Sequence, residues 1–294
     1  MPRSTSKSSA RRAAQSRLTA RTADRHDLYQ RSVQLPGQEI SFLNKVFRGH
    51  TGRRPLHLRE DFCGTALLCS QWAKSDSERT ALGLDIDRPT LDWGRAHNLP
   101  AIGGAAERVT LLEHDVLVPT RRKVEVIGAY NFSYQIFRDR KVLLQYFRAA
   151  HRSLTDDGLF VLDALGGAET AGTRIERRRV TGGWTYIWEQ ERYDVINGGF
   201  LCHISFEFRD GTALRHAFTY DWRHYSLPEL RDVLLEAGFV GVDAYWEGTD
   251  ETGREGSGTF HRVSRADNDP VWNAYLVARK SPPLRGSRDA KRRR

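Results

Sequence analysis

Short apolar runs alternate with helix-like stretches along the chain from about residue 55 onward. In the helix-like stretches apolar residues recur at intervals of three and four, as at Leu143, Phe147, Ala150 and Leu154. Each apolar run ends at a polar residue or at a glycine turn. This alternation predicts an α/β fold, in which a doubly wound, mostly parallel sheet is covered by crossover helices. Ligands of such folds bind at the carboxyl ends of the strands.

The alternation predicts seven strands in this sheet. They are expected at residues 55–58, 81–84, 109–112, 124–130, 159–162, 240–246 and 271–278, with helices at 67–75, 88–98, 141–154 and 227–237. The 24 residues between the last two strands show no helical pattern. Because a parallel connection normally needs a crossover helix, we expect the seventh strand to return antiparallel.

Between the fifth strand and the last helix the apolar period changes from about 3.6 to two. Apolar and polar residues alternate over 184–188, 200–208 and 214–222, and the intervening segments Asn197-Gly198-Gly199 and Asp210-Gly211 are typical of hairpin turns. The pattern predicts an antiparallel three-stranded β-meander, inserted into the α/β domain over residues 176–224. Eleven of the 30 aromatic residues lie between 184 and 225, so one face of the insert is expected to be strongly apolar.

The composition is that of a globular protein, with 39% hydrophobic residues among 294. No run of 18 apolar residues occurs, so no membrane-spanning helix is expected. The three cysteines cannot form a disulfide framework and are typical of a reducing compartment. No Cys/His spacing indicates zinc. We therefore expect a cytoplasmic protein without a metal site.

The positive charge lies at the two ends of the chain. The formal net charge is +9, but residues 1–25 carry +6 and residues 281–294 carry +5, which leaves −2 for residues 26–280. Both tails are poor in apolar residues, so we expect them to be disordered around one domain spanning 26–280. They could be solubilising arms or could contact RNA or DNA electrostatically. The Arg- and Ser-rich start also resembles an organellar transit peptide, while no secretory signal is evident.

Four segments in order along the chain resemble the motifs of class I S-adenosylmethionine-dependent methyltransferases of the small-molecule type, with a β-meander after the fifth strand. These segments are 58–66, Gly83-Leu-Asp-Ile-Asp87, His114-Asp115-Val116 and Asn131-Phe132-Ser133. The resemblance covers residues 38–280. In the first segment Glu60 matches the acidic residue of the family and Gly64 its middle glycine, whereas Phe62 and Ala66 replace the outer glycines.

The resemblance implies that S-adenosylmethionine is the cofactor. It implies that Asp85 accepts both ribose hydroxyls, that Ile86 packs on the adenine, that Asp115 accepts from the adenine amino group, and that the Val116 N–H donates to the ring. The residues expected to bind the cofactor are Glu60, Phe62, Cys63, Gly64, Thr65, Asp85, Ile86, Asp115, Val116, Asn131, Phe132 and Ser133.

The expected reaction is in-line transfer of a methyl group to a small-molecule acceptor. His203, His224 and Tyr134 are candidates for a general base. The residues expected to contact the acceptor are Tyr29, Gln30, Tyr134, Tyr220, Trp222 and His224, with the meander as a lid.

Two other functions stay open at this point. One is an RNA or DNA methyltransferase that holds the polymer with its basic tails. Asn131-Phe-Ser-Tyr134 is similar to the Asn-Pro-Pro-Tyr signature of enzymes that methylate base amino groups, but both prolines are missing. The other is a catalytically inactive scaffold that only binds the cofactor. The methylated atom and the oligomeric state do not follow from the sequence, and no membrane partner is expected.

Overall fold

The computed structural model describes residues 18–249 and 256–283. In chain order the elements are α1 (Arg25–Val33), α2 (Pro36–Thr51), β1 (His57–Asp61), α3 (Leu67–Lys74), β2 (Thr80–Asp85), α4 (Arg88–His97), β3 (Val109–Glu113), β4 (Val124–Ala129), α5 (Arg140–Ser153), β5 (Leu154–Gly166), β6 (Arg174–Val180), β7 (Trp184–Tyr193), β8 (Gly199–Phe208), β9 (Ala213–Arg223), α6 (Leu227–Glu236), β10 (Gly241–Thr249), β11 (Gly256–Val263) and β12 (Trp272–Arg279). Two 3-10 helices span Pro100–Arg108 and Ser133–Ile136. None of the helices in these ranges is long and apolar enough to cross a membrane.

These elements form two compact units. The α/β unit consists of the described residues from 35 to 170 and from 225 onward, and the β-meander unit consists of those up to 34 together with 171–224. The insertion predicted between the fifth strand and the last helix is therefore confirmed as a separate sheet. Helix α1 belongs to the same unit as this sheet.

The sheet of the α/β unit has the strand order β11-β10-β12-β5-β4-β1-β2-β3. Strands β1 to β5 pair in parallel, while β12 is antiparallel to both β5 and β10. The expected antiparallel last strand is thus confirmed. The expected number of seven strands is wrong, because β11 adds an eighth strand at the edge. Its residues are mostly exposed or half-buried, so its sequence carries no apolar alternation.

Helices cover both faces of this sheet, as in other α/β proteins. Helices α2, α3 and α4 bury Phe47, Trp72 and Leu91 against one face. Helices α5 and α6 bury Phe147 and Leu234 against the other face. The polar ends of the parallel strands therefore meet at one edge, between two packed layers.

The β-meander unit contains the consecutive antiparallel strands β6-β7-β8-β9. Helix α1 packs on one face of this sheet, where the fully buried Leu28 contributes to a core with Trp184 and Phe206. The expected number of three strands is wrong, because β6 pairs with β7 along its whole length. Strand β6 has the sequence Arg-Ile-Glu-Arg-Arg-Arg-Val, and its residues are mostly exposed, so no alternation marks it.

Ordered structure begins inside the stretch that was expected to be a disordered tail. The Asp24 carboxylate caps α1 by accepting from the backbone N–H groups of His26 at 2.8 Å and Asp27 at 3.1 Å. The backbone N–H of Ala20 donates to the Thr212 hydroxyl at 3.0 Å. The remaining parts of both expected tails, residues 1–17 and 284–294, lie outside the described residues.

Candidate functional site

Three residues of the turn after β1 have a left-handed backbone conformation. Phe62, Gly64 and Ala66 have φ values of 56°, 53° and 57°, in the left-handed region. This conformation strains residues that carry a side chain, so surrounding structure must stabilise it. Ala66 is fully buried at the start of α3, and Phe62 packs 5.5 Å from the Tyr146 ring. The replacements of glycine therefore keep the shape of the turn.

Asp85 ties this turn to the end of β2. Its Oδ2 accepts the Gly64 N–H at 2.8 Å, and its Oδ1 accepts the Asp87 N–H at 2.9 Å. An ionised carboxylate has about four lone-pair sites, so two remain for a ligand. The neighbouring Ile86 is 68% exposed, which is unusual for a large apolar side chain. Together they present a hydrogen-bond acceptor beside an apolar surface.

Glu60 lies beneath the same turn and is almost completely buried. Its Oε2 accepts the Cys69 N–H in the first turn of α3 at 3.1 Å. The pKa of Glu60 is raised to about 8, chiefly by burial and also by the charges of Glu39 and Asp85, while the bonds from Cys69 lower it. Glu60 is thus mostly protonated at pH 7.

Cys63 and Thr65, which belong to the turn itself, are buried as well. Burial raises the pKa of the Cys63 thiol well above its usual range, so Cys63 is no nucleophile here. The Thr65 carbonyl accepts from the Asn98 side-chain amide at 2.8 Å. The same Thr65 carbonyl lies close to Gly94 of α4, and a Cβ added at position 94 would come within 2.4 Å of the carbonyl oxygen.

Asp115 follows β3 at the same edge. The His114 N–H donates to the Asp85 carbonyl at 2.9 Å, which fixes the end of β3 beside that of β2. The exposed Asp115 uses its Oδ1 to accept the Leu117 N–H at 2.9 Å. The Val116 side chain is buried in the core. Both residues lie where the sequence places them, on the same edge as Asp85.

The segment after β4 is held by a residue that sequence reasoning missed. Asn131 and Phe132 both have φ of 57°. Their backbone N–H groups donate to Asp163, to Oδ2 at 2.6 Å and to Oδ1 at 2.9 Å. Ser133 donates its hydroxyl to the Tyr130 carbonyl at 2.9 Å. The signal for Asp163 in the sequence is its position, an acidic residue where the fifth strand was predicted to end.

Burial raises the pKa of Asp163 to about 7. The N–H groups of Phe132 and Asn131 oppose this effect, and the charge of Glu39 adds to it. Asp163 is therefore, after Glu60, a second carboxyl at the edge of the sheet whose pKa lies near neutrality.

Tyr134 is packed in the core on the side of α5. It is 1% exposed, its ring centre lies 6.5 Å from that of Phe147, and burial raises its pKa well above the usual range. This placement favours a structural role over the expected roles as base and acceptor contact.

The remaining expected acceptor residues belong to the β-meander unit. Tyr29 lies 5.0 Å from the Phe218 ring and is hydrogen-bonded to Tyr220, whose ring stacks 4.4 Å from Trp222. His224 packs 6.2 Å from the Phe200 ring. Gln30 is buried on α1. The structure thus brings most of these aromatic side chains together within one unit.

His203 lies on the opposite face of that meander. Its ring nitrogens are hydrogen-bonded to Glu191 Oε2 at 2.8 Å and to Thr219 Oγ1 at 2.9 Å. The ring also stacks 3.9 Å from that of His216. His203 is therefore separated by the sheet from the cluster around Tyr220, a placement that does not favour its expected role as a base.

No protein-family model and no curated protein sequence matches the chain. Among solved structures, it is similar to a S-adenosylmethionine-dependent methyltransferase from Clostridium acetobutylicum, with a TM-score of 0.65 and 16% identity over 86% of this chain and 96% of that chain. It is similar to the CcbJ methyltransferase from Streptomyces caelestis, with a TM-score of 0.64 and 17% identity over 85% and 98%.

A third similar structure is an amino pentose methyltransferase from Micromonospora echinaspora, involved in calicheamicin biosynthesis and bound to S-adenosylmethionine. Its TM-score is 0.57, with 13% identity over 96% of this chain and all of that one. These similarities define the fold: the chain has the Rossmann-like fold of S-adenosylmethionine-dependent methyltransferases, with an inserted antiparallel sheet.

Proposed function

We propose that this protein is an S-adenosylmethionine-dependent methyltransferase that acts on a small-molecule acceptor. The observation that carries the proposal is the pairing of Asp85 with the Gly64 turn at 2.8 Å, beside the exposed Ile86. A carboxylate with unused lone pairs suits a ribose diol, and an exposed apolar side chain suits the face of a purine. The similar structures named above are all methyltransferases, which supports the same function.

The described residues fit the other parts of the cofactor. Glu60 lies beneath the turn, where a carboxyl favours the ammonium of the methionine tail. Asp115 and the Val116 backbone lie at the end of β3 and are proposed to bind the adenine edge. Asn131, Phe132 and Ser133 follow β4, where the methyl donor would meet the acceptor.

S-adenosylmethionine supplies a methyl group that its sulfonium has already activated. The work left to the chain is to hold the acceptor atom in line with that methyl group and to exclude water. Positioning of this kind contributes on the order of 7–11 kcal/mol to lowering a barrier. The turn around Gly64 and the segment held by Asp163 are suited to it, because a carboxylate accepts backbone N–H groups in each of them.

A small molecule is favoured over a polymer as the acceptor. The tails carry the positive charge, while residues 26–280 have a net charge of −2. The aromatic cluster of Tyr29, Tyr220 and Trp222 suits a compact organic acceptor. One of the similar structures is an amino pentose methyltransferase. We propose these three residues and His224 as acceptor contacts.

Calorimetric titration with S-adenosylmethionine and S-adenosylhomocysteine tests the proposal. The wild-type chain should bind both, and Asp85→Asn should weaken binding by about 10–100-fold, because it removes the charge that strengthens two hydrogen bonds (about 1.5–3 kcal/mol). Asp92→Asn, at an exposed carboxylate on α4, is the matched control and should bind as the wild type does. Absence of binding at millimolar ligand, or unchanged affinity in Asp85→Asn, would contradict the assignment.

A further inference from the structure

Four polar side chains outside the glycine turn share one face of the large sheet. Glu60 is opposite Gly128 across the β1–β4 pair, Gly128 is opposite Val161, and Asp163 is opposite Tyr275. Residues two apart on a strand face the same side. Glu60, Tyr130, Asp163 and Tyr275 therefore lie on the same face at the edge formed by β1, β4, β5 and β12.

Helix α2 adds a third carboxyl to this face. The Phe42 ring stacks on the Tyr275 ring with 4.5 Å between their centres. Glu39 lies three residues earlier on α2, one turn along the same side of the helix. Consistent with this, the Glu39 charge contributes to raising the pKa values of both Glu60 and Asp163. We call these five residues, Glu39, Glu60, Tyr130, Asp163 and Tyr275, the carboxylate–tyrosine cluster.

The Tyr130 hydroxyl is buried within this cluster. Tyr130 is 6% exposed, and its ring folds back over Gly128, where a Cβ would come within 2.4 Å of the ring and 3.0 Å of the hydroxyl oxygen. The hydroxyl therefore lies beside the residue that pairs with Glu60.

Two buried polar atoms of the cluster have no hydrogen-bond partner among the described residues. They are the Tyr130 hydroxyl and the Glu39 Oε2. A buried polar group without a partner costs about 1–3 kcal/mol. A ligand that donates to Glu39 Oε2 and contacts the Tyr130 hydroxyl would remove this cost for both groups.

The chemistry of the cluster selects a cation. Three carboxyls supply hydrogen-bond acceptors, and a bound cation would stabilise their ionised forms, which burial and the charge of Glu39 disfavour in the free chain. An ammonium can donate to Glu39 and to the Tyr130 oxygen at once, whereas an alcohol brings no charge. Asp163 and Tyr275 lie on β5 and β12, on the other side of β4 from Glu60 and Asp85. The cluster therefore extends beyond the proposed cofactor strands to the acceptor side.

We propose that the carboxylate–tyrosine cluster binds the acceptor through Glu39, Tyr130 and Asp163, with Glu60 left to the cofactor, and that this acceptor is a protonated primary or secondary amine. This inference rests on the proposed function and specifies its substrate class. The ammonium gives one proton to the Glu39 carboxylate and becomes a neutral amine. The nitrogen lone pair then forms the C–N bond as the C–S bond breaks, and the electrons of that bond stay on sulfur. The products are an N-methylated ammonium and a neutral thioether.

Paired probes of equal shape test the charge preference. The full-length chain is titrated by calorimetry at pH 7 with cyclohexylamine and cyclohexanol, and with benzylamine and benzyl alcohol, with and without saturating S-adenosylhomocysteine. In the wild type each amine should bind at least about tenfold more tightly than its alcohol. Equal binding of amine and alcohol in both pairs would overturn the inference.

Two variants locate the preference in the cluster. Glu39→Gln should abolish the difference between amine and alcohol, and Glu236→Gln, at an exposed carboxyl paired with Arg140, should keep it. Tyr130→Phe removes the unpartnered hydroxyl without adding volume and should weaken amine binding several-fold while the fold stays intact. Retention of the full preference in both Glu39→Gln and Tyr130→Phe would contradict the assignment to this cluster.

The titrations separate this inference from the proposed function. Failure of S-adenosylhomocysteine to bind would overturn the proposed methyltransferase, while the amine titration of the free chain still tests the cluster as a cation site. Normal S-adenosylhomocysteine binding without an amine preference would overturn the inference alone.

Discussion

Two carboxyls at the edge of the large sheet, Glu60 and Asp163, have pKa values far above those of free side chains, about 8 and about 7. Burial is the first cause in both cases. Backbone N–H groups donate to each carboxyl and only partly offset the burial. The chain thus keeps protons at neutral pH where an exposed carboxyl would have lost them. Carboxyls whose pKa values are raised this far are typical of functional sites, where binding or catalysis depends on a particular protonation state.

The pKa of Glu60 predicts how stability depends on pH. In the unfolded chain this carboxyl loses its proton near 4.5, and in the folded chain near 8. Between these values the folded state binds the extra proton, so the free energy of unfolding should fall as pH rises from about 5 to about 8. Each pKa unit corresponds to about 1.4 kcal/mol. Glu60→Gln should flatten this slope, as measured by urea unfolding at several pH values.

The control for this experiment is Glu236→Gln. The Glu236 carboxyl is exposed and hydrogen-bonded to Arg140, which lowers its pKa, so it titrates below this pH window in both states. The variant should show the wild-type slope. A slope in Glu60→Gln equal to that of the wild type would contradict the predicted role of Glu60.

At the residue scale the sequence is informative where a motif is local. Asp85 and Gly64 were predicted to act at one site, and the structure joins them by a hydrogen bond. Glu39, Tyr130 and Asp163 were not predicted as site residues. Their proximity depends on the register of β4 with β5 and on the placement of α2, which are long-range features that no short pattern encodes.

Among the elements, the segment Asn131–Ser133 depends most on a single side chain. Two consecutive residues in the left-handed region are strained, and the Asp163 carboxylate holds both of their N–H groups. Asp163→Asn leaves only one acceptor oxygen for the two donors, so one backbone N–H should lose its partner, at a cost of about 1–3 kcal/mol. Hydrogen exchange at the Asn131 and Phe132 amides should therefore become at least tenfold faster.

Asp139→Ala provides the comparison for that variant, because alanine has no oxygen to cap the helix. Asp139 caps α5 by accepting the Lys141 N–H at 2.8 Å, close in sequence to the same segment. Loss of this cap should speed exchange at the start of α5 and leave the Asn131 and Phe132 amides unchanged. Equal exchange at these two amides in Asp163→Asn and the wild type would show that Asp163 does not hold the segment.

The elements that sequence patterns missed have a common physical property. Strands β6 and β11 each form one edge of their sheet, and their residues are mostly exposed or half-buried. An edge strand with polar side chains on both faces carries no apolar period, although its backbone pairs normally. The strands buried between helices carry continuous apolar runs, and for that reason the sequence predicts them.

For the whole molecule, the distribution of charge bears on the choice of acceptor. Residues 1–17 and 284–294 together hold eleven basic residues and one acidic residue. If the acceptor is a small amine, a chain that lacks both segments should still bind S-adenosylhomocysteine and cyclohexylamine. Its affinities should lie within about twofold of those of the full chain, because the proposed sites contain no residue of these segments. Calorimetry at about 50 mM and about 200 mM salt measures the affinities of the two chains for both ligands.

A polymer acceptor would give a different result. The full chain would then bind an RNA or DNA duplex with a steep dependence on salt, as release of counterions requires, and the trimmed chain would lose that binding. Turnover of such a duplex by the full chain, lost on trimming, would contradict the small-molecule proposal.

The position of β12 has a consequence for how the chain is made. This strand is the last of the described strands along the chain, yet it lies between β5 and β10 in the sheet. On the ribosome, the hairpin of β10 and β11 has no strand through which to join the rest of the sheet until residue 279 has been synthesised. This outer part of the sheet therefore assembles only after β12 has been made, and the nascent chain exposes the edge of β5 until then.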